Sequence, residues 1–87
     1  MTGHLDADHH RRILEEGRLR AGLTVDQLWL RYFALGGTVD VAETGAYLHG
    51  LRPLPPYQRD ILAQAVNERL CELESVDTVP YTFDASP

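Results

Sequence analysis

Apolar residues recur at helical spacing in four stretches of the chain, and alternation is confined to the last segment, Val76–Pro87. The first stretch predicts a helix from Asp6 to Ala21. Asp6 or Asp8 is placed to cap it, where a carboxylate also suits the helix dipole, and Gly22 is placed to end it. Its apolar stripe is narrow (Leu5, Ile13, Leu14, Leu19), and Gly17 in the middle costs ~1 kcal/mol relative to Ala.

The second stretch carries the strongest signal. Thr24-Val25-Asp26-Gln27 reads as a capping box, in which the Thr24 hydroxyl takes one orphan N–H and the Gln27 side chain reaches back to another. Leu23 and Leu28 flank it as a hydrophobic staple. Val25, Leu28, Trp29, Tyr32 and Leu35 follow the helical period, and Leu30, Phe33 and Ala34 widen the stripe almost all round. A helix apolar on most sides is a buried one, and Gly36-Gly37 ends it.

A third helix is expected from Val41 to His49, with Asp40 as cap and Glu43 three residues on. Val41, Gly45, Leu48 and Leu51 form its expected inner face. Gly45 would let it approach the Trp29 helix closely, and Gly50 supplies the stop. Arg52-Pro53-Leu54-Pro55-Pro56 is a stiff connector, and Pro56 suits the first position of a helix because its missing N–H has no partner there anyway. That fourth helix is expected to reach Leu73 or Ser75, with Ile61, Leu62, Ala65, Val66, Leu70 and Leu73 inward. The fold class that follows is all-α: a compact bundle of three to four helices over residues 1–75, with 76–87 as an extended or disordered tail. The core is expected around Leu28, Trp29, Tyr32, Phe33, Leu48, Ile61, Leu62, Val66 and Leu70.

Composition narrows the function classes. The chain has 87 residues, 24% of them charged and 44% hydrophobic, a globular profile with room for one domain. No apolar run approaches the ~18 residues of a membrane span. The polar start MTGHLDADHH does not read as a signal peptide. A cytoplasmic location is therefore expected. One cysteine, Cys71, excludes an internal disulfide and a Cys-built zinc site.

The net charge is −5, and its distribution is uneven. Residues 1–37 hold five acids and five arginines, whereas residues 38–87 hold eight acids and three arginines. There is no lysine, which codon usage in a GC-rich genome explains more simply than selection for guanidinium contacts. An acidic chain is poorly suited to a polyphosphate partner. The N-terminal arginines also have acids one turn away, as in Glu15–Arg18, Glu16–Arg20, and Arg11 and Arg12 with Glu15 and Glu16.

Candidate chemistry is sparse. His4, Asp6, Asp8, His9 and His10 could contribute to a metal site, with Asp6 and His10 one turn apart, but a solvated polar turn is the simpler reading. His49 would serve near a helix C-terminus, where a cation is favoured. Glu68 and Glu72 would mostly repel each other on a helix surface. Gly36-Gly37 has neither the preceding strand nor the lysine of a phosphate loop. No catalytic set is present, no cofactor is implied, and no residue is assigned to a metal. A helix-turn-helix would use Thr38–His49 as its recognition helix, but that segment offers Asp40, Glu43 and Thr44 and no Arg, Lys, Asn or Gln.

The segments LWLRYFALGG (28–37) and YLHGLRPLPPYQRDILAQAVNERL (47–70) resemble short uncharacterised all-helical proteins of high-GC bacteria. The resemblance covers about half the chain and implies a regulatory context, with no functional residue to carry over. The expectation is a non-catalytic protein–protein interaction module, regulatory in role, acting through helix faces on a protein partner or a second copy. Trp29, Arg31 and Phe33 on the second helix, with Tyr81 and Phe83 in the tail, are the candidate contact residues. The alternatives are a helix-turn-helix DNA-binding regulator and metal binding by the N-terminal His/Asp segment.

Overall fold

A computed structural model of the chain describes residues 2–77, with side chains over 8–74. It contains four helices: α1 (Thr2–Arg20), α2 (Val25–Ala34), α3 (Val41–Leu48) and α4 (Pro56–Asp77). The all-α expectation holds. Two boundaries move outward: α1 begins four residues before Asp6, and α4 continues two residues past Ser75. Asp8 is therefore interior to α1 and not a cap. The tail with Val79, Tyr81 and Phe83 lies outside the described residues.

Local chemistry sets the ends of the helices. At α2 the capping box is complete: the Thr24 Oγ1 accepts from the Gln27 N–H at 3.1 Å, and the Gln27 Oε1 accepts from the Thr24 N–H at 2.9 Å. Asp40 accepts from the Glu43 N–H at 2.8 Å to cap α3. Helices α1 to α3 all stop on a glycine with positive φ, at Gly22, Gly36 and Gly50. At α2 the Gly37 N–H reaches back to the Tyr32 carbonyl and the Gly36 N–H to that of Phe33, the paired bonds of a Schellman end.

Helix α4 packs on α1 and α2, and α3 closes the other side of both. The core joins Leu14, Leu23, Leu28, Tyr32, Tyr47, Leu48, Leu54, Ile61, Leu62 and Val66. Where a Cβ on Gly17 would sit, Val66 Cγ1 lies 2.9 Å away. The Arg69 Nε donates to the Ala21 carbonyl at 3.4 Å. Residue 17 beside 66 and residue 21 beside 69 mean that α1 and α4 run in the same direction. The Gly17 cost in helix propensity therefore accompanies a close helix contact. At Gly45 a Cβ would meet Val25 Cγ1 at an ordinary 3.6 Å, so the close approach expected there is not needed.

The apolar faces of α1 and α3 differ from the expected ones. On α1, Leu14 is buried while Ile13 and Leu19 are more than half exposed. On α3, Thr44, Tyr47 and Leu48 are buried, and Val41 and Leu51 face outward. Thr44 tolerates full burial because its hydroxyl donates to the Asp40 carbonyl one turn back, at 3.0 Å. The C-terminal carbonyl of α3 at Leu48 is taken by Arg11 from α1 at 3.1 Å, whereas His49 has an exposed side chain and caps through its backbone N–H.

Candidate functional site

The three aromatic residues of α2 divide by position. Tyr32 is fully buried, Trp29 is half-buried, and Phe33 exposes 58% of its surface. Phe33 was expected in the core. It is displaced outward because, among the described residues, α2 packs mainly against α3 and α4, so a helix apolar nearly all round leaves one flank in water. One turn separates Phe33 from Trp29, and their rings stack with centroids 5.1 Å apart. Leu30, at the i, i+3 position from Phe33, is 60% exposed.

The platform stands on a fixed base. The Trp29 Nε1 donates to the Val39 carbonyl at 2.9 Å, which sets the plane of the indole. The Tyr32 hydroxyl accepts from the N–H groups of Thr38 and Val39, at 3.0 and 2.9 Å, and donates to the Gln58 Oε1 of α4. Gln58 also accepts from the Thr38 N–H at 3.1 Å. The α2–α3 connection is thus tied to α2 and α4 by side chains. Gly37 completes the tie, since any Cβ there would fall 2.1 Å from the Tyr32 ring.

Arg31 does not join Phe33 on the open flank. Its two terminal nitrogens donate to the two Glu72 oxygens at 3.0 and 2.9 Å, a bidentate pair from α2 to α4, and Arg69 also donates to Glu72 at 3.4 Å. The hydrogen bond from Arg31 holds the Glu72 carboxyl below its ordinary range, and Arg69 acts in the same direction. Glu72, expected chiefly to repel Glu68, is instead a cross-helix anchor. Of the five candidate contact residues, Trp29 and Phe33 form one surface and Arg31 is bound to α4. Tyr81 and Phe83 lie outside the described residues.

The other candidates resolve as follows. Asp8 pairs with Arg11 at 3.0 Å and Arg12 at 3.1 Å, which replaces the expected pairing of those arginines with Glu15 and Glu16. The Arg11 hydrogen bond is the largest influence holding the Asp8 carboxyl below its ordinary range. Glu15 and Arg18 pair as expected, and Arg18 also donates to the Leu23 carbonyl at 2.8 Å. Arg20 makes no ion pair with Glu16. His9 and His10 are exposed, whereas His4 and Asp6 fall outside the described side chains. Among the described residues, no three His, Cys, Asp or Glu side chains gather to hold a metal. Cys71 is exposed, as its position on the polar face of α4 implied.

Two polar features escaped the sequence reading. The Gln58 bond to Tyr32 has no signature, because it joins residues 26 apart in the chain. Tyr47 is buried with its hydroxyl lacking a hydrogen-bond partner, beside Arg59, whose Nε is likewise buried and unpartnered. Burial pushes the Tyr47 hydroxyl pKa upward, opposed by the nearby guanidinium of Arg59 and, more weakly, of Arg11. No helix among the described residues is long and apolar enough to cross a membrane. Comparison with protein families, curated proteins and solved structures gave no match.

Proposed function

We propose that the chain is a non-catalytic interaction module that binds a protein partner through the outer flank of α2. The observation that carries this reading is the Phe33–Trp29 stack with Leu30 beside it, an exposed apolar surface on a rigid base. Aromatic side chains with few free torsions lose little entropy on docking, and hot spots are enriched in them. The base adds to this: with the Trp29 N–H and the Tyr32 hydroxyl both committed to backbone, the surface is preorganised before a partner arrives. A regulatory role in the cytoplasm fits a small module of this kind, and Cys71 would stay reduced there.

A DNA-binding reading draws less support. Thr44, one of the few polar groups on the candidate recognition helix, is buried, and the polar residues left at its surface, Thr38, Asp40, Glu43 and His49, include two acids and no Arg, Lys, Asn or Gln. The test of the protein-partner reading is a photo-crosslinking amino acid at position 33, with position 16 on α1 as an exposed control. A product specific to position 33, competed by unlabelled chain but not by Phe33→Glu, supports the reading. Identical product patterns at the two positions would remove it.

A further inference from the structure

A second apolar surface runs along the connector between α3 and α4. Six of the seven residues 51–57 are exposed, among them Pro53, Pro55 and Pro56, with Leu51 at 75% and Tyr57 at 69%. Leu54 alone turns inward and joins the core. Covalent chemistry sets the shape of this stretch. The rings fix φ at about −65° at the three prolines, and each proline holds the residue before it (Arg52, Leu54, Pro55) in the extended region. The peptide bonds are trans, so the chain enters α4 through a short polyproline II segment.

Such a segment has three residues per turn, so residues three apart share an edge. Arg52 and Pro55 lie on one edge, Pro53 and Pro56 on the next, and Leu54 on the third. The core takes the Leu54 edge and leaves the other two in water, with Pro53-Leu54-Pro55-Pro56 in P-x-x-P spacing. A groove covers at most two edges of a three-edged helix, so burial of Leu54 does not obstruct docking. Three of the five residues Arg52–Pro56 lack an N–H, and the segment therefore presents mainly carbonyl acceptors. Arg52 adds an exposed guanidinium with no ion pair or hydrogen bond to a described residue. The complement is a groove of Trp and Tyr side chains, whose polar edges donate to the carbonyls, with a carboxylate at one end for Arg52.

Both ends of the connector are held. The Leu51 N–H donates to the Ala46 carbonyl at 2.8 Å and the Gly50 N–H to that of Tyr47 at 2.9 Å. On the far side, Gln58 is tied to the Tyr32 hydroxyl and the Thr38 N–H. With its φ angles fixed, its ends tied and Leu54 anchored, the segment has little conformational entropy left to lose on docking.

We infer that Arg52–Pro56 is a docking segment for a protein with an aromatic-lined, polyproline-reading groove that carries an acidic residue at one end. This inference does not rest on the α2 surface. The probes are a panel of purified SH3 and WW domains, titrated into the isotope-labelled full chain and followed by amide NMR. At least one domain is expected to bind with a Kd on the order of 1 mM or tighter. Binding should shift the amides of Leu51, Arg52, Leu54 and Tyr57, and a free proline-rich ligand of the same domain should reverse those shifts. Arg52→Glu and Pro53→Ala should each weaken binding by about tenfold, with circular dichroism to verify that each variant is folded. Phe33→Glu should leave it unchanged. Absence of binding by every domain, shifts confined to other residues, or wild-type affinity in either connector variant would overturn the inference. So would loss of binding in Phe33→Glu, because the groove would then be gripping α2.

Discussion

Replacing Tyr32 by Phe removes one oxygen from a fully buried side chain and leaves the ring in place. That oxygen accepts from the Thr38 and Val39 N–H groups and donates to Gln58. Thr38 keeps an acceptor, because Gln58 Oε1 lies 3.1 Å from its nitrogen. Val39 has no such substitute. Its half-buried N–H is left unpaired at a cost of roughly 1–3 kcal/mol, and the lost bond to Gln58 adds about 1. The expected loss is about 2–4 kcal/mol. For a domain of this size each kcal/mol moves the melting temperature by roughly 4–8 °C, so Tyr32→Phe should melt about 10–30 °C lower.

Tyr47→Phe provides the contrast. That hydroxyl is also buried, but it makes no hydrogen bond of good geometry and faces only the Arg59 guanidinium, so its removal should cost much less than that of Tyr32. Thermal and urea unfolding followed by circular dichroism measure both variants. Amide exchange at Val39, which should accelerate in Tyr32→Phe alone, locates the effect. Equal and small shifts for the two variants, with Val39 exchange unchanged, would refute the argument that the Tyr32 hydroxyl holds the α2–α3 connection.

Three further outcomes follow from the same physics. Gly37→Ala sets a Cβ 2.1 Å from a ring packed on all sides, and should cost about 3 kcal/mol or more by urea unfolding. Thr24→Ala removes the forward half of the capping box at α2 and should cost about 1 kcal/mol, with less than additive loss when combined with Gln27→Ala. Glu72 has its pKa lowered from an ordinary value of 4.5 in the folded chain, so its pair with Arg31 stabilises the fold above that value. The contribution disappears as pH falls through the lowered folded pKa. In Glu72→Gln, unfolding curves should consequently show a weaker loss of stability between pH 5 and pH 3 than in wild type.

Legibility from the chain varied with the range of the interaction. Thr24 and Gln27 are three residues apart, and their reciprocal bonds are present as read. The glycine stops at 22, 36 and 50 depend only on a positive φ at one residue, and each was found where expected. Periodicity does not fix the inward faces of α1 and α3, because adjacent apolar residues on one helix offer more than one stripe. Ile13 and Leu14 are adjacent and both apolar, so periodicity alone does not say which points inward. Thr44 was read as surface because its type is polar, yet its hydroxyl is satisfied within its own helix turn and can be buried without penalty.

The candidate site was half legible. An apolar helix with Trp29, Tyr32 and Phe33 signals that aromatic residues matter there, but the division of roles among them depends on which flanks the neighbours cover. Arg31 illustrates the same limit. Its partner, Glu72, is 41 residues away and could not be paired with it from spacing. What the sequence by itself determined is the local grammar: three to four helices, three glycine stops, two N-terminal caps, and a charge balance unfavourable to nucleic acid. Only the tertiary structure decided that Phe33 stays in water, that Tyr32 holds the α2–α3 connection, and that Arg31 pairs with Glu72. The physical reason is that caps and turns are satisfied by atoms within a few residues, whereas exposure and pairing depend on which helices cover each flank.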